Sequence, residues 1–241
     1  MPRSITHPRL MALSALLAVG LVASPVLANT GSPPPVRTST GGIIVKDILA
    51  EHRRYSDWHL TLVDPIFMVP STYAPGDLRW VGNAGIAGRG YVRSLALADL
   101  RAMDRAAKAV GIRLRVVSAY RSYWTQRATF NSWVQKVGWT QALRYSARPG
   151  HSEHQLGTSV DLSFVNGLDP WNYADFGATT AGTWLRANAW KYGWVMSYPK
   201  GAERLTGYAY EPWHFRYFGR TLAAQQRDSG LVPRYWLWRR N

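Results

Sequence analysis

Two short segments of the chain carry side chains that could bind a metal ion and act on a substrate. They are SEHQLGTSVD at 152–161 and EPWH at 211–214. From these segments we interpret two imidazoles and one carboxylate as metal ligands, and a further carboxylate as an unliganded group. Three protein ligands suit a catalytic zinc ion, because a water molecule must occupy the fourth position. Zinc lowers the pKa of that water to about 7, and the spare carboxylate could take its proton and pass it to a leaving amine.

The spacing within the first segment can be tested against backbone geometry. His154 and Asp161 are seven residues apart, so they cannot lie on the same face of one regular strand. Gly157 lies between them and permits a turn, because glycine adopts conformations that other residues avoid. We therefore predict that Asp161 lies on a strand that begins after this turn.

The second segment requires a similar break. Glu211 and His214 are three residues apart and would point in opposite directions on a regular strand. Pro212 has a fixed φ and no N–H group, so a strand would begin after it. Glu211 would then lie before the strand and His214 on it, which allows both side chains to reach one ion.

With these residues in place, the chain resembles the VanY-type zinc D-alanyl-D-alanine carboxypeptidases of the hedgehog/D-Ala-D-Ala peptidase superfamily. The pattern of that family is Ser-x-His-x-x-Gly-x-Ala-x-Asp, followed downstream by Glu-x-x-His. The residues in register are Ser152, His154, Gly157, Asp161, Glu211 and His214. The sequence departs from the pattern at Ser159, where the family usually has alanine, and we expect little consequence because the residue is still small.

Further segments extend the resemblance over residues 65–230. They are SAYRS at 118–122 with Gln126, ARPG at 147–150, NAWKYG at 188–193, YPKG at 198–201 and TGY at 206–208. Either of the motifs at 152–161 and 211–214 would be weak evidence for the family if it stood alone. Their occurrence together with these further segments is specific for it.

The resemblance implies a ligand set and a catalytic group. His154, Asp161 and His214 would bind one catalytic zinc ion, and Glu211 would be the general base and acid. A lone histidine is more often structural, so the metal prediction depends on all four residues being in register. His151 is interpreted as a loop residue, because a fourth protein ligand would close the metal to water.

The resemblance also implies three residues that act on the substrate. Arg121 would polarise the scissile carbonyl and stabilise the oxyanion, since it offers a permanent charge and fixed donors. Ser152 and Gln126 would help to position the substrate. Each has a plainer interpretation: Arg121 could be a buried ion-pair partner, Ser152 could bond the loop backbone, and Gln126 could cap a helix.

Hydrophobic periodicity predicts the elements that must position these residues. The predicted helices cover residues 94–110, 125–137, 183–192 and 221–229. The predicted strands cover residues 112–117, 159–164, 194–198 and 211–218. Strands and helices that interleave at these lengths indicate an α+β domain with a small, mostly antiparallel sheet flanked by helices, and the resemblance implies a hedgehog/DD-peptidase-like fold.

The N-terminal region predicts export. Arg3 and Arg9 precede or flank an uncharged apolar run at 10–22, and Val26 and Ala28 suit the −3 and −1 positions of a cleavage site. We therefore predict a signal peptide at 1–28. A Pro-, Gly-, Ser- and Thr-rich flexible linker would follow at 29–42, and a single peptidase domain at 43–241. A retained anchor is the weaker interpretation, because the apolar run is short for a membrane span.

Composition narrows the partners and the chemistry. The 241 residues include no cysteine, which excludes disulfides, thiolate metal sites and a cysteine nucleophile. The formal net charge of +15 indicates an anionic partner or environment. For an exported protein we expect peptidoglycan stem peptides as substrate and anionic cell-wall polymers as a possible second partner, and we expect no nucleic acid and no membrane span after signal cleavage.

The predicted function is that of an exported zinc carboxypeptidase that removes the terminal D-alanine of peptidoglycan stem peptides with zinc-activated water. Two alternatives stay open. One is a related activity of the same superfamily, either L,D-carboxypeptidase or peptidoglycan endopeptidase. The other is a non-catalytic wall-binding module with structural zinc, against which the unliganded carboxylate of Glu211 argues.

Overall fold

The computed structural model describes residues 31–241. The predicted signal peptide at 1–28 lies outside the described residues. The strands are β1 Ile48–Leu49, β2 Phe67–Met68, β3 Leu78–Trp80, β4 Ala87–Gly88, β5 Tyr91–Arg93, β6 Leu114–Ser118, β7 Ser159–Phe164, β8 Trp194–Met196 and β9 His214–Tyr217. The α-helices are α1 Leu97–Ala109, α2 Tyr123–Val137, α3 Trp139–Tyr145, α4 Thr180–Asn188, α5 Glu203–Thr206, α6 Arg220–Asp228 and α7 Pro233–Trp238.

A five-stranded sheet forms the centre of the fold, in the order β4-β6-β7-β9-β8. The pairs β6–β7, β7–β9 and β8–β9 are antiparallel, and only the edge pair β4–β6 is parallel. Two small ribbons, β1–β2 and β3–β5, lie outside this sheet. The prediction of an α+β fold with a small, mostly antiparallel sheet is confirmed.

Alternation along the central strands separates an apolar face from a polar one. Val160 and Leu162 of β7 belong to the main hydrophobic core, as do Phe215 and Tyr217 of β9. Successive residues of a strand point to opposite faces, so the residues between them face the other side of the sheet. Asp161 of β7 is one of these, and it lines a cleft on that side.

Helix α1 covers the apolar face because its buried residues recur at helical spacing. Leu100, Met103 and Ala107 are fully buried and belong to the same core as the inward residues of β6 and β7. The helix begins after a 3₁₀ turn at Ser94–Ala96 and ends before Gly111, whose φ of 80° suits glycine.

Most predicted elements are present with shifted ends. The strand predicted at 159–164 matches β7, and the helix predicted at 183–192 divides into α4 and a 3₁₀ helix at Ala189–Tyr192. As expected from Pro212, β9 begins only at His214. The short helices α3 and α7 were not predicted.

The described part of the predicted linker lies against the domain. Val36 is fully buried, and the Arg37 guanidinium donates hydrogen bonds to the carbonyls of Glu203 and Gly207. Arg234 on α7 donates to the carbonyl of Pro34 over 2.7 Å. A Pro- and Thr-rich composition therefore does not prevent residues 31–42 from packing at specific positions. Across residues 31–241, every helix is too short or too polar to cross a bilayer.

Candidate active site

Strand register brings the first two candidate ligands together. Asp161 on β7 and His214 on β9 are direct cross-strand partners, so their side chains project from the same face as neighbours. On its other side Asp161 faces Ser118 at the end of β6, next to an irregularity in the β6–β7 register between Val116 and Ser118. Bulges of this kind re-aim the residues that follow, and the chain after Ser118 leads directly to Arg121.

The third candidate ligand comes from the turn that precedes β7. His154 lies on a 3₁₀ helix at Glu153–Leu156, which ends at Gly157 with a φ of 71°. A Cβ at Gly157 would also lie 2.9 Å from a methyl group of Leu78, so both conformation and space favour glycine. The turn therefore carries His154 back over the polar face of the sheet while Asp161 follows on the strand, as the sequence predicted.

These three residues form a group that fits one metal ion. One donor atom from each of His154, Asp161 and His214 lies within 4.8 Å of the others, and all three residues are buried. His154 Nε2 is 3.1 Å from Asp161 Oδ2, and His214 Nδ1 is 3.0 Å from Asp161 Oδ1. Two imidazoles and one carboxylate are a donor set that suits zinc.

In both histidines, the ring nitrogen that points away from Asp161 makes a hydrogen bond. That bond orients the ring and sets its tautomer in a way that suits metal binding. His154 Nδ1 lies 2.7 Å from the carbonyl oxygen of Ala119, so Nδ1 donates its proton and Nε2 keeps its lone pair. His214 Nε2 lies 3.0 Å from the Glu153 carboxylate and donates to it, which leaves Nδ1 toward Asp161. Histidine ligands of metals are held in the same way, by a carbonyl or a carboxylate on the other nitrogen.

Glu153 is a residue of the candidate site that sequence reasoning missed. Its carboxylate accepts hydrogen bonds from His214, from the Ser197 hydroxyl at 2.6 Å and from Arg216 Nη1 at 3.1 Å. Arg216 is itself fully buried and also donates to the carbonyls of Trp58 and Thr61. The available signal was an arginine between Phe215 and Tyr217 in a predicted strand, because an arginine that becomes buried there requires a carboxylate partner.

Local charges set the protonation preferences of these residues. Burial lowers the pKa of His154 to about 4, assisted by the charge of Arg121. Burial alone would also lower the pKa of His214, but its hydrogen bonds to Asp161 and Glu153 outweigh it and raise the pKa to about 10. Burial alone would raise the pKa of Glu153, yet Arg216 and His214 hold it at about 2. The site thus concentrates negative charge around His214, which favours a cation there.

Glu211 lies beside the three ligands without being one of the group. Its Oε2 atom is 3.9 Å from His214 Nδ1, and its backbone N–H donates to the carbonyl of Tyr198. The side chain makes no hydrogen bond within residues 31–241. Burial raises the pKa of Glu211 to about 7, and the neighbouring charge of Asp161 adds to that shift. A carboxyl group with a pKa near neutrality can both accept and return a proton.

Arg121 points into the same cleft and is held by two side chains. Its Nε donates to Gln126 Oε1 over 2.9 Å, and its Nη1 donates to the Ser118 hydroxyl over 3.0 Å. Nη1 is also 3.8 Å from Asp161 Oδ2. The guanidinium is therefore fixed next to the candidate metal ligands, where it can face a developing negative charge.

The remaining predicted residues have structural contacts. Gln126 is fully buried, and its amide donates to the carbonyl of Ala147, so it connects Arg121 to that loop. The helix cap is instead Ser122, whose hydroxyl accepts from the N–H of Thr125. Ser152 lines the cleft, and its hydroxyl accepts from the backbone N–H of His154.

His151 lies outside the metal group, as expected. It is buried, with Nδ1 at 2.7 Å from the carbonyl oxygen of Asp64 and Nε2 at 3.0 Å from the carboxylate of Asp47. These contacts tie the loop before the candidate site to the N-terminal part of the domain.

The three candidate metal ligands line one cleft of about 670 Å³, together with Arg121, Ser152 and Glu211. Aromatic side chains form much of its lining. Tyr198 packs against the ring of His214 at a centroid distance of 4.9 Å, and Trp171 meets Trp213 edge to face at 6.4 Å. Trp171 remains 46% exposed, so the cleft is accessible from solvent. Its size suits a short peptide segment.

The chain is similar to known carboxypeptidases. The family model described as "VanY: D-alanyl-D-alanine carboxypeptidase" matches residues 89–220. The Bacillus subtilis protein named "Putative carboxypeptidase YodJ" is 40% identical over 178 residues, which are 72% of this chain and 64% of that protein. The chain thus spans less than two thirds of the length of this relative.

Two solved structures are similar in fold and sequence. One is the LdcB LD-carboxypeptidase, with a TM-score of 0.68 and 36% identity over 75% of this chain and 86% of that one. The other is the vancomycin resistance D,D-pentapeptidase VanY from a VanB-type cassette in complex with Zn(II). It has a TM-score of 0.62 and 28% identity over 75% of this chain and 99% of that one.

Proposed function

The chain belongs to the VanY family of D-alanyl-D-alanine carboxypeptidases, and from that premise we propose that it is an exported zinc carboxypeptidase. Its substrate would be the stem peptide of peptidoglycan, from which it removes the terminal D-alanine. The observation that carries the proposal is the juxtaposition in one cleft of three buried metal donors with the unliganded carboxylate of Glu211.

His154, Asp161 and His214 would hold the zinc ion. When bound, zinc would lower the pKa of a water molecule to about 7 and polarise the substrate carbonyl. The tautomers set by Ala119 and Glu153 support this assignment, because both leave a ring nitrogen turned toward Asp161.

Glu211 would move the proton. It would accept a proton from the attacking water and deliver it to the amine of the departing D-alanine. Its raised pKa, about 7, suits both steps at neutral pH. Arg121 would donate hydrogen bonds to the oxygen of the scissile carbonyl as negative charge develops there. Gln126 and Ser118 would keep the guanidinium in that position.

Export and location form a further part of the proposal. The predicted signal peptide at 1–28 would deliver the domain to the cell wall. Its removal takes away Arg3 and Arg9, and the remaining net charge of +13 would retain the domain near anionic wall polymers. The same charge would attract a substrate that ends in a carboxylate.

A second candidate is L,D-carboxypeptidase activity, which removes the terminal D-alanine of a tetrapeptide. The observation that favours it is the similarity to the LdcB LD-carboxypeptidase, at higher identity than the similarity to the D,D-pentapeptidase VanY. The catalytic residues proposed above would serve either reaction, and the two reactions differ in the configuration of the residue before the cleaved bond.

One experiment separates these candidates. Release of free D-alanine is measured from a muramyl pentapeptide and from the matching tetrapeptide, with chelator and after zinc is restored. Release from the pentapeptide that chelator abolishes and zinc restores supports the first proposal. Release from the tetrapeptide alone favours the second. Zinc binding without release from either peptide, or from cross-linked peptidoglycan, would instead indicate a wall-binding module.

A further inference from the structure

We propose that Lys136, at the end of the cleft away from the metal ligands, selects stem peptides that carry a free carboxylate about three or four residues before the scissile bond. This inference rests on the proposed function, because it requires the C-terminal end of the peptide to lie at the metal centre. It adds a specificity determinant on α2, a helix that contributes no metal ligand.

Helix α2 presents a continuous face to the cleft. Thr129, Ser132, Trp133 and Lys136 all line it, and they occupy positions i, i+3, i+4 and i+7. Residues with this spacing share one face of a helix. The face begins one turn after Gln126, so the helix leads from the catalytic end of the cleft to Lys136 and offers two hydroxyls and an indole on the way.

The charges along the cleft are unevenly distributed. At the metal centre, the guanidinium, carboxylate and imidazole groups of the lining belong to Arg121, His154, Asp161, Glu211 and His214. Lys136 is the remaining charged residue in the lining, and it is exposed. Its ammonium makes no ion pair within residues 31–241, and Nζ lies 5.9 Å from the centre of the Trp133 ring. A cation without a protein partner at the end of a substrate cleft favours a negative group on the substrate.

The length of the helix gives the position of that group. Gln126 contacts Arg121, and Lys136 follows ten residues later. At about 1.5 Å per residue this is a distance of about 15 Å along α2. An extended peptide advances about 3.3 to 3.6 Å per residue, so Lys136 lies about four peptide residues from the catalytic end.

Stem peptides carry carboxylates in this region. The glutamate is the third residue before the scissile bond of a pentapeptide, is linked through its side chain, and has an α-carboxyl group that is either free or amidated. The diamino acid that follows is the second residue before that bond, and it can carry a carboxyl group at the end of its long side chain, which extends its reach toward the same region. Both present the same chemistry to an ammonium group. The inference therefore names a carboxylate, and the test distinguishes the two sources.

The test measures peptide binding to the zinc-loaded Glu211→Ala protein, in which turnover is removed. Four muramyl pentapeptides combine free or amidated glutamate with lysine or diaminopimelate at the third position. We expect about fivefold tighter binding for the peptide that carries the recognised carboxylate, because an exposed ion pair contributes about that much to affinity. Salt screens exposed charges, so the preference should be smaller at high salt. The peptide series in which the preference occurs identifies the carboxylate.

Variants at two lysines assign the preference. In the same background Lys136→Gln should abolish the preference while leaving the affinity for the peptide that lacks the recognised carboxylate unchanged, and Lys136→Glu should reverse the preference. Lys191→Gln is the matched control, because Lys191 is exposed and donates to Asn188 outside the cleft. Equal affinities for all four peptides, or a preference that survives Lys136→Gln, would overturn the inference.

Parallel D-alanine release by the unaltered protein separates this inference from the proposed function. Release without any carboxylate preference leaves the function standing and removes the role of Lys136. If binding prefers the carboxylate through Lys136 but no peptide releases D-alanine, the role of Lys136 in peptide binding stands and the proposed catalytic function fails. If none of the four peptides binds, both proposals fail.

Discussion

The two faces of the central sheet use the same strands for opposite purposes. The apolar layer consists of Val160, Leu162, Phe215 and Tyr217 with Leu100 of α1, and it is buried among other hydrocarbon side chains. The polar layer consists of Asp161, His214 and Arg216 with Glu153 and His154, and it is equally buried. One residue along a strand separates a core position from a candidate catalytic position.

The difference is in what each layer requires of its neighbours. Burial stabilises an apolar side chain in proportion to the area removed from water, and no particular partner is needed. A buried charge or imidazole requires a specific partner, and losing that partner costs more than the contact itself contributed. We therefore expect the apolar layer to control stability with little effect on chemistry, and the polar layer to control both.

The largest effect is expected from removing a ligand. His214→Ala should abolish zinc binding and reduce D-alanine release to background, because two donors do not hold a catalytic zinc ion. Zinc content measured on the purified variant, together with release of D-alanine, checks this. His52→Ala is the control, since His52 lies outside the metal group. Full zinc occupancy in His214→Ala would remove this residue from the ligand set.

Glu211→Ala should separate metal binding from turnover. Zinc should be retained, because Glu211 is not one of the three donors, while kcat should fall by about 10²- to 10⁴-fold through loss of proton transfer. Zinc stoichiometry and kcat measured on the same preparation test both halves. Turnover within a few-fold of the unaltered protein would contradict the assigned role of Glu211.

The sequence predicted the three candidate metal ligands, but it did not predict the residues that hold those ligands in position. The family resemblance implied that His154, Asp161 and His214 bind one ion. A turn at Gly157 and a strand start after Pro212 made that arrangement compatible with the backbone, although spacing alone did not establish it. The pairing of Glu153 with Arg216 spans 63 residues. It depends on which strands are neighbours in the sheet, and local periodicity does not contain that information.

Secondary structure was likewise predictable only where a local sequence pattern was long enough. Strand β7 and helix α1 were predictable because their apolar residues repeat regularly over several positions. Helices α3 and α7 have seven and six residues, too few for a periodic signal to emerge. The packing of residues 31–42 was hidden because it depends on distant acceptors and donors such as Glu203 and Arg234.

Glu153→Gln tests how strongly zinc affinity and stability depend on the carboxylate that holds the candidate ligand His214 in position. The amide can still accept from His214, but the charge opposite Arg216 is lost. We expect zinc affinity to fall about 10- to 100-fold and the free energy of unfolding to fall by about 3 to 5 kcal/mol. Competition with a chromophoric chelator measures the first quantity and urea unfolding the second. Glu51→Gln, at an exposed carboxylate, should change neither.

Leu100→Ala tests the apolar layer. Leu100 is fully buried in the main core, so its truncation should lower the free energy of unfolding by about 2 to 5 kcal/mol. Zinc affinity and kcat of the folded fraction should stay unchanged, because the residue lies on the opposite side of the sheet from the cleft. A drop in zinc affinity comparable to that of Glu153→Gln would show that the two layers are not independent.

The smallest effect concerns Ser159, the position at which the sequence departs from the alanine of its family. Ser159 is fully buried on β7 opposite Arg216, and its hydroxyl has no hydrogen-bond partner within residues 31–241. An unpaired buried hydroxyl costs free energy that a methyl group does not. Ser159→Ala should therefore raise the free energy of unfolding by about 1 kcal/mol and leave zinc affinity unchanged, as measured by urea unfolding and chelator competition. A loss of stability instead would mean that the hydroxyl is satisfied by an ordered water, and that the polar layer is better paired here than its protein contacts indicate.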